Sequence, residues 1–322
     1  MSNVLITSAG RRTTLVRAFR EVVNARGGLV WAGDMDPLAP ALFLADRTLR
    51  LPPVNHPDYL PFLLETAAEH QIRLIVPTID TELLPLSQAA GRFEEQGCRA
   101  LVSAEGLVRI SRDKWTMVEV FRGRGFRVPR SWLPEHVGPD ELPEQLFIKP
   151  RDGSASKHAY AVSRDQLSRL LDLVPNAIIQ ERLTGPEITV DALLDFDGRP
   201  LHFVPRRRIR TLGGESIQGV TLSARDLTAD LMPLLEAIGS LGGRGPITVQ
   251  LFRVDGQLVL SEINARFGGG IPLTLAAGGA YPEWIWRLLH GEILEPRLGD
   301  YREGLYMTRH YVELFRQEPL WT

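Results

Sequence analysis

At 322 residues and 44% hydrophobic side chains, the chain is long enough for about two globular domains with cores of their own. Basic and acidic residues nearly balance, 37 against 39 for a formal net charge of −2, which argues against a basic face for nucleic acid. A single cysteine, Cys98, excludes an intramolecular disulfide framework and a cysteine-based zinc site. No apolar run approaches the ~20 residues that span a bilayer, and the chain starts without a basic, long apolar leader. A cytoplasmic protein with no membrane partner is expected.

Val4-Leu5-Ile6-Thr7 reads as a buried strand, residues 8–12 as a turn and 14–23 as a helix with apolar residues at helical spacing. This βα unit recurs. Residues 29–34 predict a second strand, 59–70 a helix, 72–77 a third strand, 83–96 a helix and 99–102 a fourth strand. Such alternation implies an open parallel sheet, with Gly10, Asp34 and Asp80 near the carboxyl ends where these sheets bind ligands. Gly10 stands alone where a dinucleotide fingerprint needs three glycines, so NAD is not expected.

From Ser111 the texture changes to α+β. Residues 114–124 suit a helix, and a proline-studded stretch over 128–143 precedes the strand Leu146-Phe147-Ile148-Lys149-Pro150. A helix over 164–173, strands over 177–181, 187–195 and 201–208, and a helix over 227–238 follow. Lys149 ends an apolar strand beside the loop 151–158, where an ammonium and backbone N–H groups can meet a polyanion. The connector from Gln180-Glu181-Arg182-Leu183 through Gly185-Pro186-Glu187 suits adenine, read by backbone groups and an acid, with Glu187 available to ribose hydroxyls. Arg206, Arg208 and Arg210 share a strand face, and like charges so placed call for an anion among them. Arginine forks suit carboxylate or phosphate, and Arg11 and Arg12 in the first loop are similar candidates.

Residues 250–266 read as an apolar hairpin with polar ends. Glu262 and Asn264 lie two apart and project from one face, offering hard oxygens to a cation such as Mg²⁺. The turn decides whether Gln250 joins them. A two-residue turn at Asp255-Gly256 pairs Val254 with Gln257 and sets Gln250 opposite Ser261, on the reverse face. A three-residue turn with Gly256 at positive φ pairs Arg253 with Gln257 and makes Gln250 and Glu262 diagonal neighbours roughly 7 Å apart. The bulged, three-residue turn is the expectation. His70, His136 and His290 read as surface or helix-end residues, and neither metal-ligand histidine spacing nor a Ser/His/Asp arrangement is visible.

These pieces in this order resemble the ATP-grasp carboxylate-amine ligases, and among them proteins similar to the large subunit of carbamoyl phosphate synthetase. The motifs are Pro77-Thr78-Ile79-Asp80-Thr81-Glu82, Asp113-Lys114, Ile148-Lys149-Pro150 with its loop, Gln180-Glu181-Arg182-Leu183 with Gly185-Pro186-Glu187, and Gln250, Glu262, Asn264 and Arg266. The resemblance implies a Rossmann-like N-terminal (pre-ATP-grasp) domain over 1–110, then a two-lobed ATP-grasp domain. Its small lobe, 111–180, would carry a flexible phosphate loop, and its large lobe, 181–322, the metal site. The cofactors implied are ATP with Mg²⁺ or Mn²⁺, and the partners small carboxylate and amine substrates, in a homodimer as relatives often form.

Position by position, the resemblance puts Lys114 and Lys149 on the ATP phosphates, with Ser154 and Ser156 in a loop less glycine-rich than the family's. Glu181 and the backbone near Leu183 fall on adenine and Glu187 on ribose. Gln250, Glu262 and Asn264 fall on the metal, Gln250 being neutral where many relatives carry an acid. Arg266 falls near the γ-phosphate, with Arg208 beside the cleft. The activity implied is ADP-forming: a carboxylate becomes an acyl phosphate and an amine displaces phosphate. The alternative is a nucleotide-binding regulatory protein of the same fold without turnover, which would have no need of Lys149, Glu262, Asn264 and Arg266 together.

Overall fold

The computed structural model describes residues 2–153, 158–212 and 215–321, whose strands form three sheets. In the first, β1 (Asn3–Thr7), β2 (Val30–Asp34), β3 (Arg47–Arg50), β4 (Ile72–Pro77) and β5 (Arg99–Ala100) run parallel in the order β3-β2-β1-β4-β5. Val4, Leu5 and Ile6 are wholly buried, as a central strand covered on both faces requires. With it go helices α1 (Thr13–Asn24), α2 (Tyr59–Glu69), α3 (Asp80–Gln88), α4 (Ala90–Glu95) and α5 (Glu105–Arg112). The strand order reverses between β1 and β4, and the carboxyl ends of these two strands open a crevice.

Three expectations change here. The helix predicted over 83–96 is two helices, because Ala89 leaves helical geometry at φ −95°, ψ 3° and its N–H turns back to the carbonyls of Pro85 and Ser87. The strand predicted over 99–102 shortens to Arg99–Ala100. Helix α5 had not been predicted, although Leu107, Val108 and Ile110 form its apolar face against the core; at eight residues it falls short of the window over which helical spacing is read.

The second sheet is antiparallel, in the order β6-β9-β7-β8, from β6 (Ser131–Trp132), β7 (Gln145–Pro150), β8 (Tyr160–Ser163) and β9 (Ala177–Glu181). Helix α6 (Lys114–Arg122) precedes it and α7 (Leu167–Leu171) lies within it. Leu146 and Ile148 pack with Val162, Leu167 and Ile179 in a small core separate from the rest. Strand alternation therefore turns Phe147 and Lys149 to the other face.

The third sheet, β14-β13-β10-β11-β12-β15, is antiparallel throughout. It contains β10 (Glu187–Leu194), β11 (Pro200–Leu212), β12 (Glu215–Thr221), β13 (Gly245–Val254), β14 (Gln257–Asn264) and β15 (Tyr306–Thr308), with α8 (Thr228–Ser240), α9 (Ile271–Ala276) and α10 (Tyr281–Leu289). Ile188, Val190, Val249 and Leu251 share one core with Leu231 and Leu235 of α8, Leu107 of α5, Phe121 of α6 and Leu63 of α2. This sheet and the parallel-sheet unit are thus joined by a common hydrophobic interior. The opposite face of β10 carries Glu187, Thr189 and Asp191.

The hairpin of β13 and β14 corrects the expected turn. Val254 pairs with Gln257, so the turn is the two-residue Asp255-Gly256, with φ of 51° and 78°, a pair whose twist matches that of the flanking strands. Such a turn alone would leave Gln250 opposite Ser261. Instead β14 takes in one extra residue: Leu251 pairs with Leu260 and Gln250 with Glu262, leaving Ser261 bulged between them. A bulge exists, but in the strand rather than the turn, and Gln250 and Glu262 are directly opposed rather than diagonal. A Cβ at Gly256 would meet no atom within 4 Å, so Gly256→Ala tests backbone conformation alone. It should cost about 1 kcal/mol in urea unfolding, and a variant as stable as the parent would show that the turn relaxes to another type.

Candidate functional site

A cleft of about 570 Å³ lies where the crevice of the parallel sheet, the small antiparallel sheet and the polar face of the large sheet meet. Register sorts the floor into ranks of directly opposed side chains. One rank runs Glu262, Gln250, Thr189, Arg206 across β14, β13, β10 and β11. Two residues along, toward the parallel-sheet domain, the next rank is Asn264, Thr248, Asp191. Two residues the other way stand Phe252 and Glu187, with Arg208 donating to Glu187 at 2.7 Å. Adjacent ranks on one face are about 7 Å apart.

The buried centre of this floor is an ion pair. Arg206 Nε donates to Asp191 Oδ2 at 2.9 Å, with side chains 3% and 2% exposed. Thr248 and Thr274 hydroxyls donate to the same carboxylate at 3.2 and 2.8 Å. An acid flanked by Val190 and Ala192 in the buried run of a strand must be paired, and that signal in the sequence could have found Asp191, which the motif reading passed over. His202, also passed over, is fully buried on the same face of β11, one rank beyond Asp191, its ring within 3.2 Å of Tyr281 Oη and 3.1 Å of the Asp300 carbonyl.

The small sheet forms the opposite wall. Lys149, paired with Ile178, is 8% exposed, and among the described residues its ammonium takes neither a hydrogen bond nor an ion pair. Burial pushes its pKa down to about 8; Glu262 opposes the shift, Lys114 adds to it and Glu187 opposes it again. Lys114 Nζ donates to the carbonyls of Gly153 at 2.8 Å and Arg151 at 3.4 Å. Asp113 caps α6 through the Trp115 and Thr116 N–H groups and holds the Arg151 guanidinium. The start of the loop after β7 is thereby fastened to the first turn of α6. Ser154 and Ser156 lie outside the described residues.

The connector after β9 brings Leu183 to the cleft edge. The Glu181 carboxylate, named for adenine, is held by the Arg130 N–H at 2.9 Å and Arg130 Nε at 2.8 Å. From the parallel-sheet domain come Arg12, Thr78 and Asp80. Asp80 binds Arg266 Nη2 at 2.8 Å, and the same nitrogen lies 3.3 Å from Asn264 Oδ1. Behind them the buried Glu82 carboxyl receives Ser8 Oγ at 2.8 Å, Tyr59 Oη and the Thr78 N–H at 3.3 Å, and Thr78 Oγ1 donates to the Ser8 carbonyl at 2.6 Å. Burial raises the Glu82 pKa against these bonds. The ends of β1 and β4 are so tied into one rigid edge. Arg11 and Arg210 are exposed, and the cleft lining includes neither of them nor Asp34.

The structure therefore gathers Lys114, Lys149, Glu181, Leu183, Glu187, Arg208, Gln250, Glu262, Asn264 and Arg266 around one cleft. Residues 4–101 match a family model described as PylC-like, N-terminal domain, and residues 174–309 match one described as ATP-grasp in the biosynthetic pathway with Ter operon. The chain is thus similar to PylC-like proteins over its parallel-sheet domain and to ATP-grasp proteins from β9 to β15. No curated protein matches it by sequence.

Solved structures share the fold. The biotin carboxylase domain of Hydrogenobacter thermophilus 2-oxoglutarate carboxylase, in complex with MgADP, ADP and bicarbonate, matches with TM-score 0.73 at 17% identity, over 94% of this chain and 73% of that one. N5-carboxyaminoimidazole synthetase from Staphylococcus aureus, complexed with ADP, matches at 0.73 and 14%, over 91% and 78%. An L-amino acid ligase from Bacillus licheniformis matches at 0.67 and 18%, over 92% and 75%.

The depressed pKa of Lys149 carries a stability signature. Its folded value, about 8, lies below the ordinary 10.5, so the folded chain loses this proton first as pH rises. The cost of burying the ammonium is fully present below pH 8 and is relieved toward pH 10.5, a gain of up to roughly 3 kcal/mol. Urea unfolding of the parent and of Lys149→Met between pH 7 and 10.5 should therefore show the parent gaining on the variant as pH rises. A constant difference would mean that this ammonium is solvated.

Proposed function

We propose that the protein is an ADP-forming ligase, which uses ATP to activate a carboxylate as an acyl phosphate and passes the acyl group to an amine. The observation that carries this reading is the pairing of two buried lysines on one wall with a rank of oxygen donors on the other. Lys149 is 8% and Lys114 6% exposed, and Glu262 and Gln250 are opposed on the floor with Asn264 one rank on. Buried ammonium groups facing oxygen ligands suit a polyphosphate held with a hard cation. The motif order, which resembles that of the carbamoyl phosphate synthetase large subunit, supports the same reading, as do the ADP complexes of the structural neighbours.

In this reading residues 1–110 supply the acceptor wall, 111–180 the lobe with the phosphate loop and 181–322 the lobe with the metal donors. Adenine lies along the connector at Glu181 and Leu183, ribose at Glu187, and the phosphates between Lys114, Lys149 and the loop holding Ser154 and Ser156. Gln250, Glu262 and Asn264 would hold magnesium or manganese. Their oxygens fit a hard cation, and the one formal charge among them, on Glu262, fits one ion better than two. Bound there, the metal would neutralise charge on the β and γ phosphates.

The carboxylate oxygen attacks the γ-phosphorus, the bond to the bridging oxygen breaks and ADP leaves. The amine then adds to the acyl carbon, inorganic phosphate departs and a proton is released. Arg266 and Arg208 offset charge on the group in transit. The walls keep water from the acyl phosphate.

Lys149→Met should bind MgATP at least about tenfold more weakly in calorimetry, and parental affinity would remove Lys149 from the nucleotide site. Arg266→Ala should lower kcat more than it weakens ATP binding. With an array of amino acids and other small carboxylates, ³¹P spectra should show ADP and phosphate, and hydroxylamine should trap a hydroxamate. AMP with pyrophosphate would refute the mechanism.

A further inference from the structure

Two side chains on the cleft floor, adjacent in one rank, each carry a buried polar atom with no hydrogen-bond partner among the described residues: Thr189 Oγ1 and Arg206 Nη1. Thr189 is 2% and Arg206 3% exposed, and both line the cleft. Leaving such donors unmade inside a protein costs about 1–3 kcal/mol each, so two side by side mark a place where a ligand completes the bonding. Arg206 gives Nε to Asp191, but that carboxylate is also shared by Thr248 and Thr274. A third orphan, Arg266 Nε, lines the same cleft.

We propose that Arg206 Nη1 and Thr189 Oγ1 form the seat of the acceptor carboxylate, a site for a small, singly charged organic acid. The proposal rests on the ligase reading for its chemistry, and its position follows from register. In that reading the terminal phosphate stands over Gln250 and Glu262. Thr189 is one strand from Gln250 and Arg206 two, about 5 and 10 Å across the sheet. A carboxylate at this seat is therefore beside the phosphate but clear of the metal donors. Donor number selects the class: one guanidinium nitrogen and one hydroxyl meet the two oxygens of a single carboxylate, and with Asp191 already on the same guanidinium a second carboxylate on the acid gains nothing at this seat.

Solvent does not reach Nη1 because the loop Gly268-Gly269-Gly270 lies on the guanidinium. A Cβ at Gly270 would fall 2.1 Å from Arg206 Cζ, and one at Gly268 2.8 Å from Asp191 Oδ1. Only glycine permits this approach. Arg309, just past β15, donates to the Gly269 carbonyl. The carboxylate enters as this loop lifts and is covered as it returns.

Acetate is the probe, with saturation-transfer NMR in the presence of MgADP as the readout, and calorimetry with MgATP alongside. Arg206→Lys keeps the charge beside Asp191 but loses the second nitrogen, and should weaken acetate about tenfold with MgATP affinity unchanged. Thr189→Val keeps the shape, removes the hydroxyl and should weaken acetate about threefold. Melting temperatures check folding, and Thr189→Val decides alone if Arg206→Lys fails to fold. Malonate should bind no tighter than acetate. Parental acetate binding in the folded variants, or none in the parent, overturns the seat and leaves these donors to an internal water. Tighter malonate overturns the class. If the parent ignores MgATP while the variants still lose acetate, the seat stands and the nucleotide reading falls.

Discussion

Asp191 sits in the middle of a buried strand, and the floor of the cleft is organised around neutralising it. Removing one partner from a buried ion pair costs about 3–5 kcal/mol, so Arg206 is fixed in place as firmly as the hydrophobic residues beneath it. Thr248 from β13 and Thr274 from α9 bind the same carboxylate, and Tyr281 of α10 donates to the Asp191 carbonyl at 2.9 Å. Three strands and helices from different parts of the chain thus converge on one residue. Because all three strands are antiparallel and in fixed register, fixing Asp191 also fixes the face on which Thr189, Gln250 and Glu262 appear.

The opposite wall is arranged by a different balance. Lys149 is a charge held out of water without a protein hydrogen bond among the described residues, a local instability that the small hydrophobic core of its sheet must carry. The carboxylates of Glu262 and Glu187 act on it across the cleft rather than by contact. Arg266 and Asp80, and Arg208 and Glu187, are paired on the floor side. Positive charge without a paired anion is therefore concentrated on the side contributed by β7.

Much of this was legible in the sequence because periodicity and local chemistry are local properties. The βα repeats gave the parallel sheet, and the apolar run before Lys149 gave its strand. The spacing of Glu262 and Asn264 gave their common face. The hairpin shows where such reading stops. Asp255-Gly256 makes the two-residue turn its residues favour, and the register is then restored by a bulge at Ser261, a residue with no local mark of it. Pairings across long separations, such as Arg266 with Asp80, 186 residues away, are set by packing of whole units and leave no trace in spacing. Arg210 leaves the arginine face because β11 shifts register against β12 on either side of it.

The distribution of cores has a mechanical consequence. The parallel-sheet unit, α6 and the large sheet share one interior, and they are further joined where Ala104 N–H meets the Gly242 carbonyl at 2.9 Å and Ser103 Oγ accepts the Arg244 N–H at 3.1 Å. The small sheet keeps a core of its own. Parts with a common interior move as one body, and a part with a separate core is free to rock against it. Lys114 lies on the helix that shares the large interior and Lys149 on the sheet with its own core. The bonds from Asp113 and Lys114 to Arg151 and Gly153 cross from one to the other, so any such rocking has to pass through the first turn of α6.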